Sequence, residues 1–168
     1  MEQAIKDRMM DSVRDFRLPA YDEIPDVGLY LEQTVKYINE YLAPLDEIGI
    51  TASMVSNYVK MKLIASPVRK QYSRDQIAAL IIITIAKSVV SLDNVRRIVD
   101  PAAGYDARRL YGFFAAEFRN LLLYVFDVKD VPDETDVLNG DDIDLVRNLI
   151  LTAANKIYLD KCFAMLSR

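Results

Sequence analysis

Apolar side chains recur at helical spacing along most of the chain, and prolines or capping residues interrupt the rhythm. Ile5, Met9, Val13 and Phe16 share one face of a helix predicted over residues 2–17, ending ahead of Pro19. Pro19 and Pro25 each disfavour helix in the preceding residue, so residues 18–26 read as an extended connector. Asp26 is the expected cap of the next helix, over about 27–42, with Tyr30, Val35, Ile38 and Leu42 on its inner side and a stop before Pro44. Gly49 is expected to make the following turn, and Thr51 or Ser53 to cap a short helix reaching Met61. Residues 63–72 are non-helical. Ser73 and Gln76 then form a capping box, opening a helix whose run from Ile77 to Ile83 is apolar on nearly every side and points to burial from all directions. Ser91 is expected to cap residues 92–99, ended by Asp100-Pro101. Two longer helices follow over about 106–126 and 142–166. The second carries Ile143, Val146, Ile150, Ala153 and Ile157 in a three-four rhythm suited to an antiparallel hairpin or a dimer seam. The expected fold class is all-α.

Composition changes this picture mainly by exclusion. With 168 residues, 52% of them hydrophobic and 27% charged, the chain has enough apolar material for a core. There is no histidine, which removes Ser/His/Asp and Cys/His catalysis, histidine-ligated metals and a histidine pH switch. The lone Cys162, beside Phe163, Met165 and Leu166, reads as a small packing side chain. The five glycines, at 28, 49, 104, 112 and 140, fit neither a Walker loop nor a dinucleotide fingerprint. No enzyme activity and no cofactor are expected. Residues 1–7 lack the basic start and apolar run of a secretory signal, and the apolar run 76–86 is far shorter than the roughly 20 residues a bilayer requires, so a cytoplasmic protein without a membrane partner is expected. Between Asp127 and Asp144 eight acids face the single Lys129. Placing Gly140 at the sixth position of an EF-hand puts Thr135 first and Val146 twelfth, where carboxylates are required, so a solvated loop is expected and no metal.

Charge is more informative than composition. The net charge is −4, yet residues 48–97 hold eight Lys or Arg against Asp75 and Asp93, a balance of +6 that leaves −10 for the rest. No acid occurs between Glu47 and Asp75. A segregated positive segment in an acidic chain is the outline of a polyanion site. On the helix after Gly49, a turn of 100° per residue sets Ala52, Tyr58 and Val59 near Val55 on a core-facing side. Ser53, Asn57 and Lys60, with Ser56 beside them, fall on the opposite side. Short hydrogen-bonding groups and a cation on a thin helix suit base edges and phosphates in a major groove, and Arg69, Lys70 and Arg74 follow where they can hold flanking phosphates. Tyr58 and Tyr72 read mainly as core.

The segments Gly49-Ile50-Thr51, Asn57-Tyr58, Leu63-Ile64, Pro67, Tyr72 to Ile77 and Ser91-Leu92 resemble the winged helix-turn-helix of the MerR-like regulators. With Leu18-Pro19, Ile24-Pro25-Asp26, Leu29-Tyr30 and residues 50–83, the stretch 18–99 is also similar to a bacterial family known as domain of unknown function 1836. The resemblance implies a DNA-binding head over 18–100, with Ser53, Ser56, Asn57 and Lys60 on the recognition helix and Arg69, Lys70 and Arg74 around the wing. Residues 1–17 then form an N-terminal amphipathic helix and 101–168 a helical hairpin serving dimerisation. The chain departs from the regulators in a short wing without glycine, few arginines on the recognition face and no long dimer helix. The expected function is a transcriptional regulator acting as a homodimer on double-stranded DNA, with the small-molecule effector unspecified. The alternative is a non-catalytic interaction module whose basic face holds an acidic protein. A third reading, a small ligand between the last two helices, rests on Tyr111, Phe113, Phe114 and Phe118.

Overall fold

The computed structural model describes residues 1–102, 104–133 and 141–167. Among the described residues seven helices and one two-stranded ribbon follow in the order α1 (Gln3–Arg14), β1 (Leu29–Tyr30), α2 (Leu31–Leu42), α3 (Ala52–Lys60), β2 (Gln71–Tyr72), α4 (Arg74–Ala86), α5 (Leu92–Ala102), α6 (Ala107–Val125) and α7 (Asp141–Leu166). The fold is therefore all-α apart from the ribbon. No helix among the described residues is long and apolar enough to cross a membrane.

α4 occupies the middle. Ile77, Leu80, Ile81, Ile83 and Ile85 are all buried, and the helix packs against α2, α6 and α7. Its one interior polar side chain, Thr84, donates to the Leu80 carbonyl at 2.6 Å, so the apolar surroundings leave no orphan donor. α1 lies on α6 and α7 through Met9, Val13 and the following Phe16, whose ring meets Phe118 edge-on at 5.8 Å. The connector runs along α6, where Arg119 donates to the Phe16 carbonyl (3.2 Å) and Tyr111 to the Pro19 carbonyl (2.8 Å).

Several sequence expectations need correction. α2 begins at Leu31 because the chain bends at Asp26 and Val27, Gly28 stands at φ +79°, and Leu29-Tyr30 pair with Tyr72-Gln71 as β1 and β2. Asp26 therefore does not cap it; the Gln33 side chain accepts from the Tyr30 amide instead (3.0 Å). The turn after α2 is made by Asp46, at φ 59°. Gly49 serves close approach, since a Cβ there would stand 3.1 Å from the Asn39 side-chain oxygen. α5 continues through Asp100-Pro101 to Ala102, because a proline near a helix end forfeits only one backbone bond.

The last two helices are not an antiparallel hairpin. Arg147 pairs with Glu117 (3.4 Å) and stands 5.5 Å from the Phe113 ring centroid, whereas Tyr158 meets Phe126 at 5.3 Å. Early residues of α6 meet early residues of α7 and late meet late, so the two helices run in the same direction. The reason is a return segment. After Asp127, at φ 56°, the chain doubles back until the buried Asn120 clamps Asp133, donating to its carbonyl (2.9 Å) and accepting from its amide (2.7 Å). Residues 134–140, which hold the EF-hand positions Thr135 and Gly140, lie outside the described residues, whereas Val146, at the twelfth position, is buried in α7.

Candidate nucleic-acid interface

α3 has nine residues, too few to hold a helix by itself in water, so its placement depends on what pins its ends. At the amino end Asn39 of α2 clamps the backbone of Ile50, donating to its carbonyl (2.8 Å) and accepting from its amide (2.9 Å). Thr51 then caps the helix, its hydroxyl accepting from the Met54 amide (3.2 Å). At the carboxyl end the Lys62 amide bonds the Val59 carbonyl (3.0 Å) and the Leu63 amide bonds the Tyr58 carbonyl (2.9 Å), with Lys62 left-handed at φ 58°. This is a Schellman closure with lysine where glycine is usual. Arg96 of α5 donates to the Met61 carbonyl, holding the same end from outside.

So fixed, α3 buries Val55 (0% exposed) and Tyr58 (2%) and turns Ser53, Ser56, Asn57 and Lys60 to solvent within about a 100° sector. Tyr72 is buried with Tyr58, so both tyrosines belong to the core. Burial pushes the Tyr58 phenol up, and its hydroxyl has no hydrogen-bond partner among the described residues. Tyr58→Phe is accordingly expected to raise stability by about 1 kcal/mol, because it deletes a desolvated, unpaired hydroxyl. Urea unfolding checks this; a loss of similar size would mean that the hydroxyl is bonded in solution.

The segment after α3 is a tight hairpin. Val68 and Gln71 exchange both backbone hydrogen bonds (3.1 and 2.9 Å), and between them Arg69 and Lys70 sit at φ 51° and 66°. Positive φ at both central residues marks a type I′ turn, which ordinarily takes Asn-Gly. Gln76 anchors the approach to it, donating to the Ala65 (2.9 Å) and Ser66 (3.3 Å) carbonyls while its side-chain oxygen accepts from the Ser73 amide (2.9 Å). The register Leu29↔Tyr72 and Tyr30↔Gln71, with Val68 opposite Gln71, sets Tyr30, Gln71 and Val68 in one row on the outer face. Tyr30 and Val68 are 52% and 74% exposed, beside the two cations.

The six other expected site residues are exposed, but Arg74 is not placed as expected. Its side chain is 21% exposed and faces the connector, with Nε donating to the Ile24 carbonyl (2.7 Å) and the guanidinium 3.5 Å from Asp22 and 3.8 Å from Asp26. These three connector partners, Asp22, Ile24 and Asp26, make it a brace for the connector. Arg108 takes Asp22 in two bonds (2.5 and 2.6 Å) and holds its carboxyl below the usual carboxylate range. Tyr21, between these two arginines, donates to Asp75, which pushes its phenol up.

Lys60, Lys62, Arg69 and Lys70, by contrast, have no ion pair or side-chain hydrogen bond among the described residues. In the sequence Lys62 stands out only as part of the positive balance of residues 48–97. Its left-handed position depends on a closure that involves residues on both sides, so nothing in its own spacing signals it. Among the described residues no three Asp, Glu or Cys side chains are grouped to hold a metal.

A family model described as Domain of unknown function (DUF1836) matches residues 19–111. The chain belongs to this family. No curated protein and no solved structure matches it. In this DUF1836 chain the matched residues contain the whole of α2 to α5 and the ribbon, and their first and last members, Pro19 and Tyr111, are hydrogen-bonded to each other. α1, most of α6 and α7 lie outside the match.

Proposed function

We propose that this DUF1836 protein is a transcriptional regulator that binds double-stranded DNA. In this reading α2 and α3 act as a MerR-like helix-turn-helix, α3 enters the major groove, and the Arg69-Lys70 hairpin is the wing on the flanking backbone. The observation that carries it is the backbone of Lys62, Arg69 and Lys70. All three stand in the left-handed region. That region costs a residue with a Cβ roughly 1–2 kcal/mol, and glycine or asparagine would occupy it with less strain. Backbone closures hold the three positions, but none of the three side chains has a partner within the described chain, so they are placed to act on something outside it. A dense, regular array of negative charge suits three cations on rigid backbone better than a flexible acidic partner does.

Ser53, Ser56 and Asn57 are then the base-reading side chains and Lys60 a phosphate contact. One nine-residue helix reads few base pairs, so two-fold pairing of subunits is part of the proposal. Leu145, Thr152, Leu159 and Leu166 recur every seven residues on α7, and Leu145, Leu159, Phe163 and Leu166 are exposed, which supports that helix as the homodimer seam.

Fluorescence anisotropy with labelled genomic fragments tests the reading. Four phosphate contacts per subunit should make the logarithm of the association constant fall with the logarithm of salt at a slope of about −3.6 per subunit. Binding that is absent, or indifferent to salt, overturns it. Asn57→Ala should relax preference at one base position by about 1–3 kcal/mol without changing that slope.

A further inference from the structure

Between α4, α5, α6 and α7 lies a cavity of about 90 Å³. Folded interiors are close-packed, and voids much larger than one water molecule are few. This one has room for about three waters at liquid density, yet its walls offer them almost no hydrogen bonds. Ala79 and Ile82 of α4, Val99 of α5, Leu110 and Phe114 of α6 and Leu149 of α7 supply apolar surface from every side. The space exists because alanines stand where the helices face one another: Ala78 and Ala79 on α4, with Ala107 at the start of α6. A leucine at any of them would close much of it. The lining has one charged member, Asp75, which is exposed at the mouth; its Oδ1 accepts from the Tyr21 hydroxyl, and the second oxygen is the acceptor left to a ligand. The hydroxyl of Tyr111, the other polar side chain of the lining, is already committed to the Pro19 carbonyl.

We propose that this cavity is a binding site for one small apolar molecule, a single ring or a short branched hydrocarbon, whose polar end is a hydrogen-bond donor or cation directed at Asp75. The size sets the class. It is well under the roughly 300 Å³ at which drug-sized ligands begin, and below the roughly 150 Å³ of an enclosed apolar cavity that takes up benzene, but this one opens to solvent beside Asp75, so a ring can be seated with one edge outside. The carboxylate sets the sign, favouring an ammonium and opposing another carboxylate. The site is separate from the α3 surface, and its test uses no nucleic acid, so it stands or falls independently of the DNA reading.

Thermal unfolding of the full chain with benzene, benzylamine and benzoate provides the test. At tenfold excess over its dissociation constant a bound probe should raise the midpoint by about 3–6 °C. Benzylamine should bind at least tenfold more tightly than benzoate, with Asp75→Asn removing most of that preference. Ala79→Leu should abolish the shift for every probe. If that variant does not fold, nuclear Overhauser contacts from benzene to the methyl groups of Ile82 and Leu149 in the unaltered protein locate the ligand instead. No shift with any probe up to its solubility, equal binding of benzylamine and benzoate, or benzene contacts confined to other surfaces each overturn the proposal.

Discussion

Replacing Lys62 and Lys70 with glycine and Arg69 with asparagine is expected to weaken binding to any DNA duplex several-hundredfold at 0.1 M salt while making the folded chain more stable. The two effects have one origin. Each lost phosphate contact removes about 0.9 from the salt slope, close to an eightfold loss in affinity at that salt, and three compound to the stated figure. Each replacement also lets a strained backbone position relax, worth about 1 kcal/mol in the folded state. The greater freedom of glycine in the unfolded chain takes back part of this, leaving about 1–2 kcal/mol in total. Anisotropy titration and urea unfolding on the same preparation read both signs. A variant that loses stability together with affinity would show that these cations serve the fold, and the assignment of the surface to nucleic acid would lose its main support.

Phe118→Ala is the second large effect, a destabilisation of about 3–5 kcal/mol measured by urea unfolding. Phe118 is wholly buried, meets Phe16 edge-on at 5.8 Å and stacks with Phe114 at 6.1 Å between ring centroids. Truncation leaves a cavity and also removes the surface against which the residues after α1 are seated. Hydrogen exchange in α1 should therefore rise more than in α4, whose burial depends on α2 and α7 as well as α6. Uniform acceleration across the chain would instead indicate that α1 is held by contacts other than this ring cluster.

What the sequence disclosed followed from strong local signals. The Ser73 and Gln76 capping box and the unbroken apolar run behind it located α4 and its all-round burial, and the alternation of Val55 and Tyr58 with Ser53, Asn57 and Lys60 separated the two faces of α3. Where structure diverged, the signal was absent or non-local. Two-residue strands carry no periodicity, so in the sequence β1 is indistinguishable from the start of a helix and β2 from a loop. The rhythm of Ile143, Val146, Ile150 and Ala153 identifies a buried stripe but not the direction of its neighbour; that direction depends on Asn120, a polar residue with nothing in its surroundings to mark it as a clamp. Asn39 performs the same service for Ile50. Arg74 looks like part of the basic surface in the sequence because the acids that claim it, Asp22 and Asp26, lie some 50 positions earlier.

The seating of Phe16 also has a bearing on biosynthesis. Arg119, which bonds the Phe16 carbonyl, lies 103 positions later. A ribosome adding roughly 5–20 residues per second takes about 5–20 seconds to cover that distance, and longer still to release α7. Throughout that interval Met9, Val13 and Phe16 are without their burial partners on α6, so the nascent polypeptide presents a sticky amphipathic stretch that a holdase-type chaperone is suited to shield until the later helices emerge.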